Sequence, residues 1–209
     1  MATTLGAAWW DAVLHPTRLG EHARAEPRAI MLVLPACAGV LQSFLQGMSN
    51  NVGLKGSVLM VVAFAIPIGA VWGLLQVHLL AGCLWAVARR DGQWLPYRTL
   101  RHVWSLAMAP AATAVFCWVA TALIVGSKVF VDPSAWSRAS VSSGESLFMS
   151  LLLLGSGLAM MWGFVLLTLG VREVTGRSTL ASVWTVMQAL VVLLCLSFVV
   201  VIALVLAGA

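Results

Sequence analysis

The chain has 209 residues, of which 61% are apolar and 9% charged, and its mean hydropathy is +0.99. A water-soluble domain carries about a quarter charged residues because its surface needs them, so this composition excludes a soluble globule and makes lipid the solvent. The net charge of +5 rests on 12 Lys and Arg against 7 Asp and Glu; so few charges describe loops between apolar runs, and no nucleic-acid partner is expected.

In chain order, residues 1–28 form a charged lead. Asp11, Glu21, Glu26 and two prolines interrupt it before any apolar core begins, so a cleavable signal is not expected. Within it, Trp9, Trp10, Val13 and Leu14 beside Asp11 predict a short amphipathic interfacial segment, ended by His15-Pro16. Five uncharged runs follow, at 29–48, 58–88, 104–125, 147–171 and 180–209. Each holds at least the ~20 residues that cross a bilayer as a helix, and none shows the period-two alternation of a barrel strand. The predicted fold is all-α: a polytopic membrane protein, a single domain over 29–209 built as a bundle of five transmembrane helices behind the 1–28 lead.

Leu34-Pro35-Ala36-Cys37 superficially resembles a lipoprotein processing box, but the apolar run before Cys37 is short, and the expectation is a helix continuing through Pro35. Pro67 and Pro110 are expected to bend the second and third spans. Cys37, Cys83, Cys117 and Cys195 lie in four different runs, without the spacing of a metal or redox pair, and read as small buried hydrophobes. The loop 89–102 sets Trp94 and Tyr97 among four arginines, the composition of a headgroup-level belt. The serine-rich loop 126–146, interrupted by Val129–Val131 and Trp136, is expected on the opposite surface.

Orientation follows from basic residues in short loops, which stay cytoplasmic. Arg18, Arg24, Arg28, Arg89, Arg90, Arg98, Arg101, Arg172 and Arg177 share one side, against Lys55, Lys128 and Arg138 on the other. This places the amino terminus in the cytoplasm and the carboxyl terminus outside an inner, cytoplasmic membrane.

Polar groups within spans are costly and are functional candidates by default. They are Gln42, Ser43, Gln76, His78, Thr113, Thr121, Ser156, Thr168, Thr185, Gln188 and Ser197. No acidic residue joins them, so no catalytic set, metal constellation or proton-carrying carboxylate is completed; no enzyme activity, metal or cofactor is expected. His78 is the candidate polar intramembrane site, as a hydrogen-bonding group toward a neighbouring helix or as a proton relay. Gly69 and Gly73, with Gln76 continuing their face, form a candidate helix-packing or partner face, because close backbone approach drives helix association in lipid. Gly155-Ser156-Gly157, Gly163 and Gly170 predict a thin, closely packed fourth span, and Arg172 beyond it a cap on its last carbonyls.

Three passages carry a family resemblance: WWDAVLHPTR from Trp9, LLAGCLWAVARRDGQWLPYRTLRHVWSLAMAP from Leu79, and WGFVLLTLGVREVTGRSTLASVW from Trp162. In these the chain resembles the bacterial form of the Yip family, the Ypt-interacting membrane proteins. Gly92, Pro110, Trp162, Gly170, Val171 and Arg172 stand at the family-like positions. The resemblance implies a non-enzymatic five-span protein with a cytoplasmic amino terminus, whose eukaryotic relatives bind prenylated small GTPases. The acidic tyrosine-glycine-proline signature of those relatives is missing here, so binding of a small GTPase is not carried over. The expected function is an adaptor or scaffold in the bilayer, partnered by other integral membrane proteins or by itself as a homo-oligomer. The alternatives are a small transporter or channel using Gln76, His78 and the proline kinks, and an accessory subunit of a larger membrane complex.

Overall fold

The computed structural model describes Leu14 and residues 30–208, with the side chains of residues 30, 200, 201 and 203–208 excepted. The amphipathic segment at Trp9–Val13, the arginines at 18, 24 and 28, and the first of the three family-like passages lie outside the described residues, apart from Leu14. The fold is an all-α helical bundle, with no strand among the described residues. Its elements are α1 (Ile30–Ser49), α2 (Val58–Arg90), α3 (Tyr97–Ala107), α4 (Ala109–Val125), α5 (Ser143–Thr175) and α6 (Thr179–Gly208), with short 3-10 turns at Val52–Leu54, Gly126–Phe130 and Pro133–Ala135.

Five stretches are long and apolar enough to cross a membrane, the third of them made by α3 and α4 together. Only 22% of the most apolar window of α2 and of α6, and 28% of that of α5, is buried inside the protein. Leu59, Phe64, Ile68, Leu123, Ile124, Met161 and Leu180 instead point outward. Large apolar surfaces of this extent are stable only against lipid or another apolar partner.

The helix α1 runs through Pro35, and α2 runs through Pro67. The third span differs from the single bent helix expected of it. The helix starts at Tyr97, well before residue 104, and ends at Ala107; Met108 takes φ −79°, ψ −5° and α4 begins behind it with Pro110 in its first turn. Proline has no N–H to donate, and its ring clashes with the carbonyl four residues back, so the chain restarts rather than bends.

The described residues cluster into two compact units. The first comprises 76–107 with 165–208. Leu84, Leu100, Val103, Leu166 and Leu167 are among its fully buried side chains. At Gly170 a Cβ would come within 2.5 Å of Val103 Cγ1, so glycine lets α5 approach α3 closely. Gly92, at φ +79°, ends α2 in a Schellman turn: its N–H donates to the Arg89 carbonyl (3.1 Å) and that of Gln93 to the Ala88 carbonyl (2.9 Å).

The second unit comprises 30–75 with 108–164. Its core gathers Phe44, Trp118 and Phe130, with Phe44 ring centroids 6.2 Å from Trp118 and 5.4 Å from Phe130. Fully buried Trp118 donates its indole N–H to Ser156 Oγ (2.8 Å), which donates in turn to the Leu152 carbonyl (2.8 Å). Within the loop after α4, Val129, Phe130 and Val131 are buried, and Val129 and Phe130 join this core. Ser142 and Glu145 start α5 as a reciprocal capping box: Glu145 accepts from the Ser142 N–H (2.7 Å), and Ser142 Oγ from the Glu145 N–H (3.3 Å). Lys128 closes on the same carboxylate at 3.0 Å, and Asn51 Oδ1 accepts from the Asp132 N–H (2.9 Å), tying the loop after α1 to the loop after α4.

The tightest contact in this unit is glycine against backbone. A Cβ on Gly73 would coincide with the Pro35 carbonyl oxygen, one on Gly39 with the Gly69 carbonyl oxygen, and one on Gly69 would stand 2.6 Å from Val40 Cα. Gly155, by contrast, has open space around it. Gly73→Ala is expected to lower stability by about 1–3 kcal/mol through overpacking, and Gly155→Ala to leave it unchanged or raise it by up to about 1 kcal/mol, the helix preference of alanine over glycine. Thermal unfolding of the two variants in one detergent measures the difference.

Candidate functional site

The intramembrane polar groups resolve first into a large locally satisfied set. Thr113, Thr121, Ser156, Thr185 and Ser197 each donate to the carbonyl four residues earlier on their own helix, at 2.7–3.0 Å. A hydroxyl bonded in this way leaves no donor for a solute, although Ser156 also accepts the Trp118 indole.

Gly69 and Gly73 face α1, where they meet Gly39, Val40 and Pro35, so this stripe packs one helix of the chain on another and presents no face to a partner. Gln76 continues α2 as a half-buried residue in the other unit. His78 is exposed, and its Nδ1 lies 2.9 Å from the Tyr97 hydroxyl. That hydroxyl also donates to the His78 carbonyl oxygen at 3.2 Å. The two rings stack at 6.4 Å with 17° between their planes. From the end of α2, position 78 lies about 18 Å back along the helix, so residues 91–96 fold back beside α2 to bring Tyr97 there. The interaction anchors the start of α3.

Around that return the basic residues of the second and fourth inter-span loops converge. Arg89 stands over the rings of Trp85 and Trp94, at 4.9 and 4.7 Å from their centroids. Arg90 donates to Gln188 Oε1 at 3.0 Å. Arg177 donates to Asp91 Oδ2 at 2.7 Å and to the Asp91 backbone carbonyl at 3.2 Å, clasping the two loops together. Gly176, at φ +66°, makes the turn that frees Arg177 from α5, its N–H donating to the Arg172 carbonyl at 2.9 Å. Cations held by indole rings at helix ends are suited to phosphate headgroups, with the arginine fixed before it meets them. Sequence reasoning grouped these arginines and tryptophans as a belt and missed their individual partners, above all the Asp91 to Arg177 clasp.

The family-like positions do not assemble into one site. Gly92 and Gly170 serve the turn and the close approach already described, Pro110 is buried at the start of α4, Trp162 is partly exposed, and Arg172 is exposed at the end of α5. Of the cysteines, Cys83 is buried and Cys37 half-buried, whereas Cys117 and Cys195 are exposed on outward helix faces, which corrects their reading as buried hydrophobes. Among the described residues no three His, Cys, Asp or Glu side chains are grouped so as to hold a metal ion.

The hydrogen bond from Arg177 holds the Asp91 carboxyl below its ordinary pKa, aided by the charges of Arg177 and Arg90. A lowered folded-state pKa contributes stability above the ordinary carboxylate value and loses it as pH falls through the lowered one. Asp91→Asn is therefore expected to destabilise the protein by about 1 kcal/mol or less at pH 7, and to make no difference once the wild-type carboxylate is protonated. Unfolding midpoints of the two proteins from pH 7 down to pH 2 check this.

No protein-family model, curated protein or solved structure matches the chain, so the reading of its function rests on its own residues.

Proposed function

We propose that the chain is a non-enzymatic scaffold of the cytoplasmic membrane, of the Yip type that its sequence resembles, with its amino terminus in the cytoplasm, and that it packs laterally with the helices of other integral membrane proteins. One observation carries this reading. On the second unit, Pro110, Ala114 and Cys117 of α4 and Leu151, Gly155 and Ala159 of α5 line an apolar depression of about 290 Å³. Gly155 and Gly157 have no atom within 4 Å of where a Cβ would lie, so nothing inside the protein requires these glycines. In lipid, small residues on an outward face let a second helix approach backbone to backbone, and such packing is what holds membrane helices together.

Gly69 and Gly73 of α2 are spent on α1, so the docking surface we propose lies on the fourth span rather than on that stripe of the second. The charge count of the loops supports the orientation, and local satisfaction of the span hydroxyls supports a structural over a transporting role.

In mild-detergent extracts the wild-type protein is expected to carry stoichiometric membrane companions. Gly155→Leu should release at least 90% of them with an unchanged unfolding temperature, and Gly82→Ala, also open in space but on α2, should retain them. Quantitative mass spectrometry of the co-purified proteins reads the outcome. Companions that persist in Gly155→Leu, or a wild-type protein that is alone and monomeric, would overturn the proposal.

A further inference from the structure

A groove lies in the second unit where α1 ends and α2 begins, with a cavity of about 360 Å³. Its two ends differ chemically. At the loop end stand the carboxamides of Gln46 and Asn50 and the ammonium of Lys55; along α2 it is walled by Met60, Phe64 and Ile68, all largely exposed. A shallower apolar depression at Pro67, Val71, Trp72 and Leu75 shares Ile68 with the groove and continues it down the helix. From Met60 to Leu75 the track is about 22 Å long at 1.5 Å per residue, which exceeds the ~15 Å depth of one leaflet's hydrocarbon.

Two features of the groove have no explanation in the packing of the chain. The first is glycine. Where Gly39, Gly69 and Gly73 press α1 on α2, a Cβ meets backbone; at Gly47 the nearest atoms to a Cβ are 4.0 Å away, and at Gly56 3.8 Å. No close contact therefore requires glycine at position 47, and what its missing side chain does is widen the cavity it lines. The second is charge. Lys128 is paired with Glu145 and Arg177 with Asp91, whereas Lys55 sits beside the groove with no acidic side chain within ion-pair reach among the described residues. A cation and two amides at one end and a leaflet-long apolar track at the other match an amphiphile bearing a phosphate.

We infer that this groove binds an anionic phospholipid, with the headgroup phosphate at Lys55 and the Gln46 and Asn50 amides, and one acyl chain running along Met60, Phe64 and Ile68 toward Trp72. A cavity of this size falls in the range of small-ligand sites, about 300–1,000 Å³, and takes the glycerophosphate and the upper part of the chain; the remainder lies on the helix surface, in the bilayer.

The test uses the full-length protein in neutral detergent, titrated with phosphatidylglycerol or phosphatidylcholine and read by native mass spectrometry of the intact complex. Wild type is expected to retain phosphatidylglycerol in preference to phosphatidylcholine. Lys55→Gln, an exposed change, should lower phosphatidylglycerol retention about fivefold, the contribution of one basic residue at a lipid surface, and leave phosphatidylcholine unaffected. Gly47→Leu should fill the groove and lower retention of both lipids. Equal retention of the two lipids by wild type, or unchanged retention in both variants, would overturn the inference. So would competition by inorganic phosphate at millimolar concentration, which would make this a soluble-anion site, or occupation of the groove by a co-purified protein, shown by cross-linking from Met60→Cys.

Discussion

The contact on which the second unit depends is the one between Pro35, Gly39 and Ser43 of α1 and Gly69 and Gly73 of α2. In water, burying an apolar face would bring two such helices together. In lipid the surroundings are as apolar as the side chains, and that driving force is missing. What remains is dispersion between closely approached backbones, and it falls steeply when a methyl group intervenes. The pairs Pro35 with Gly73 and Gly39 with Gly69 each step one turn in opposite directions along their helices, which fixes both the antiparallel arrangement and its register. The same contact shapes the groove: clearance at the glycines grows from overlap at Gly39 to 4.0 Å at Gly47, so the helices that touch at one end leave space at the other.

A second constraint is that polar groups away from water must be satisfied inside the chain. The indole of Trp118 meets it through Ser156 and the Leu152 carbonyl, and most span hydroxyls meet it through their own helix backbone. In the loops the same demand produces structure. Asn51 with the Asp132 amide, Trp136 with the Val131 carbonyl at 2.9 Å and Glu145 with both Ser142 and Lys128 convert a serine-rich segment into a folded cover whose Val129, Phe130 and Val131 join the core.

The first unit solves a different problem, that of holding cations at the end of a helix bundle. Three loop arginines are tied down by different sets of groups: Arg89 by two indoles, Arg90 by the Gln188 carboxamide and the Asp91 carboxylate, and Arg177 by the Asp91 carboxylate and backbone carbonyl. Such arginines keep their charge directed at the surface while losing the freedom that binding would otherwise cost. His78 belongs with this set, since its ring and its backbone carbonyl both hold the Tyr97 hydroxyl where the loop returns. A scaffold needs rigidity at its ends and small residues on its flank, and the proposed helix-docking face at Gly155 supplies the second.

Much of the architecture was legible in the residues because lipid imposes a length: an uncharged run of about 20 residues has one structural solution, and the five runs, the continuity of α1 through Pro35 and the basic belt all follow from local composition. The helix break at Met108 was half legible, since Pro110 marks the place but not whether a helix bends or restarts. What the residues taken alone left open is which surface each one meets. Gly69-xxx-Gly73 reads identically whether its partner is α1 or another protein, and Gly155 and Gly157 read as internal packing; only the tertiary structure sets the first pair against α1 and leaves the second pair in open space, because helix association in lipid depends on shape matched across two helices. The matching stripe Pro35-xxx-Gly39-xxx-Ser43 was the available signal, at the same spacing of four. The Asp91 to Arg177 clasp and the isolation of Lys55 left no such trace, since the sequence determines the charges and their separation along the chain while the turns at Gly92 and Gly176 decide which of them meet.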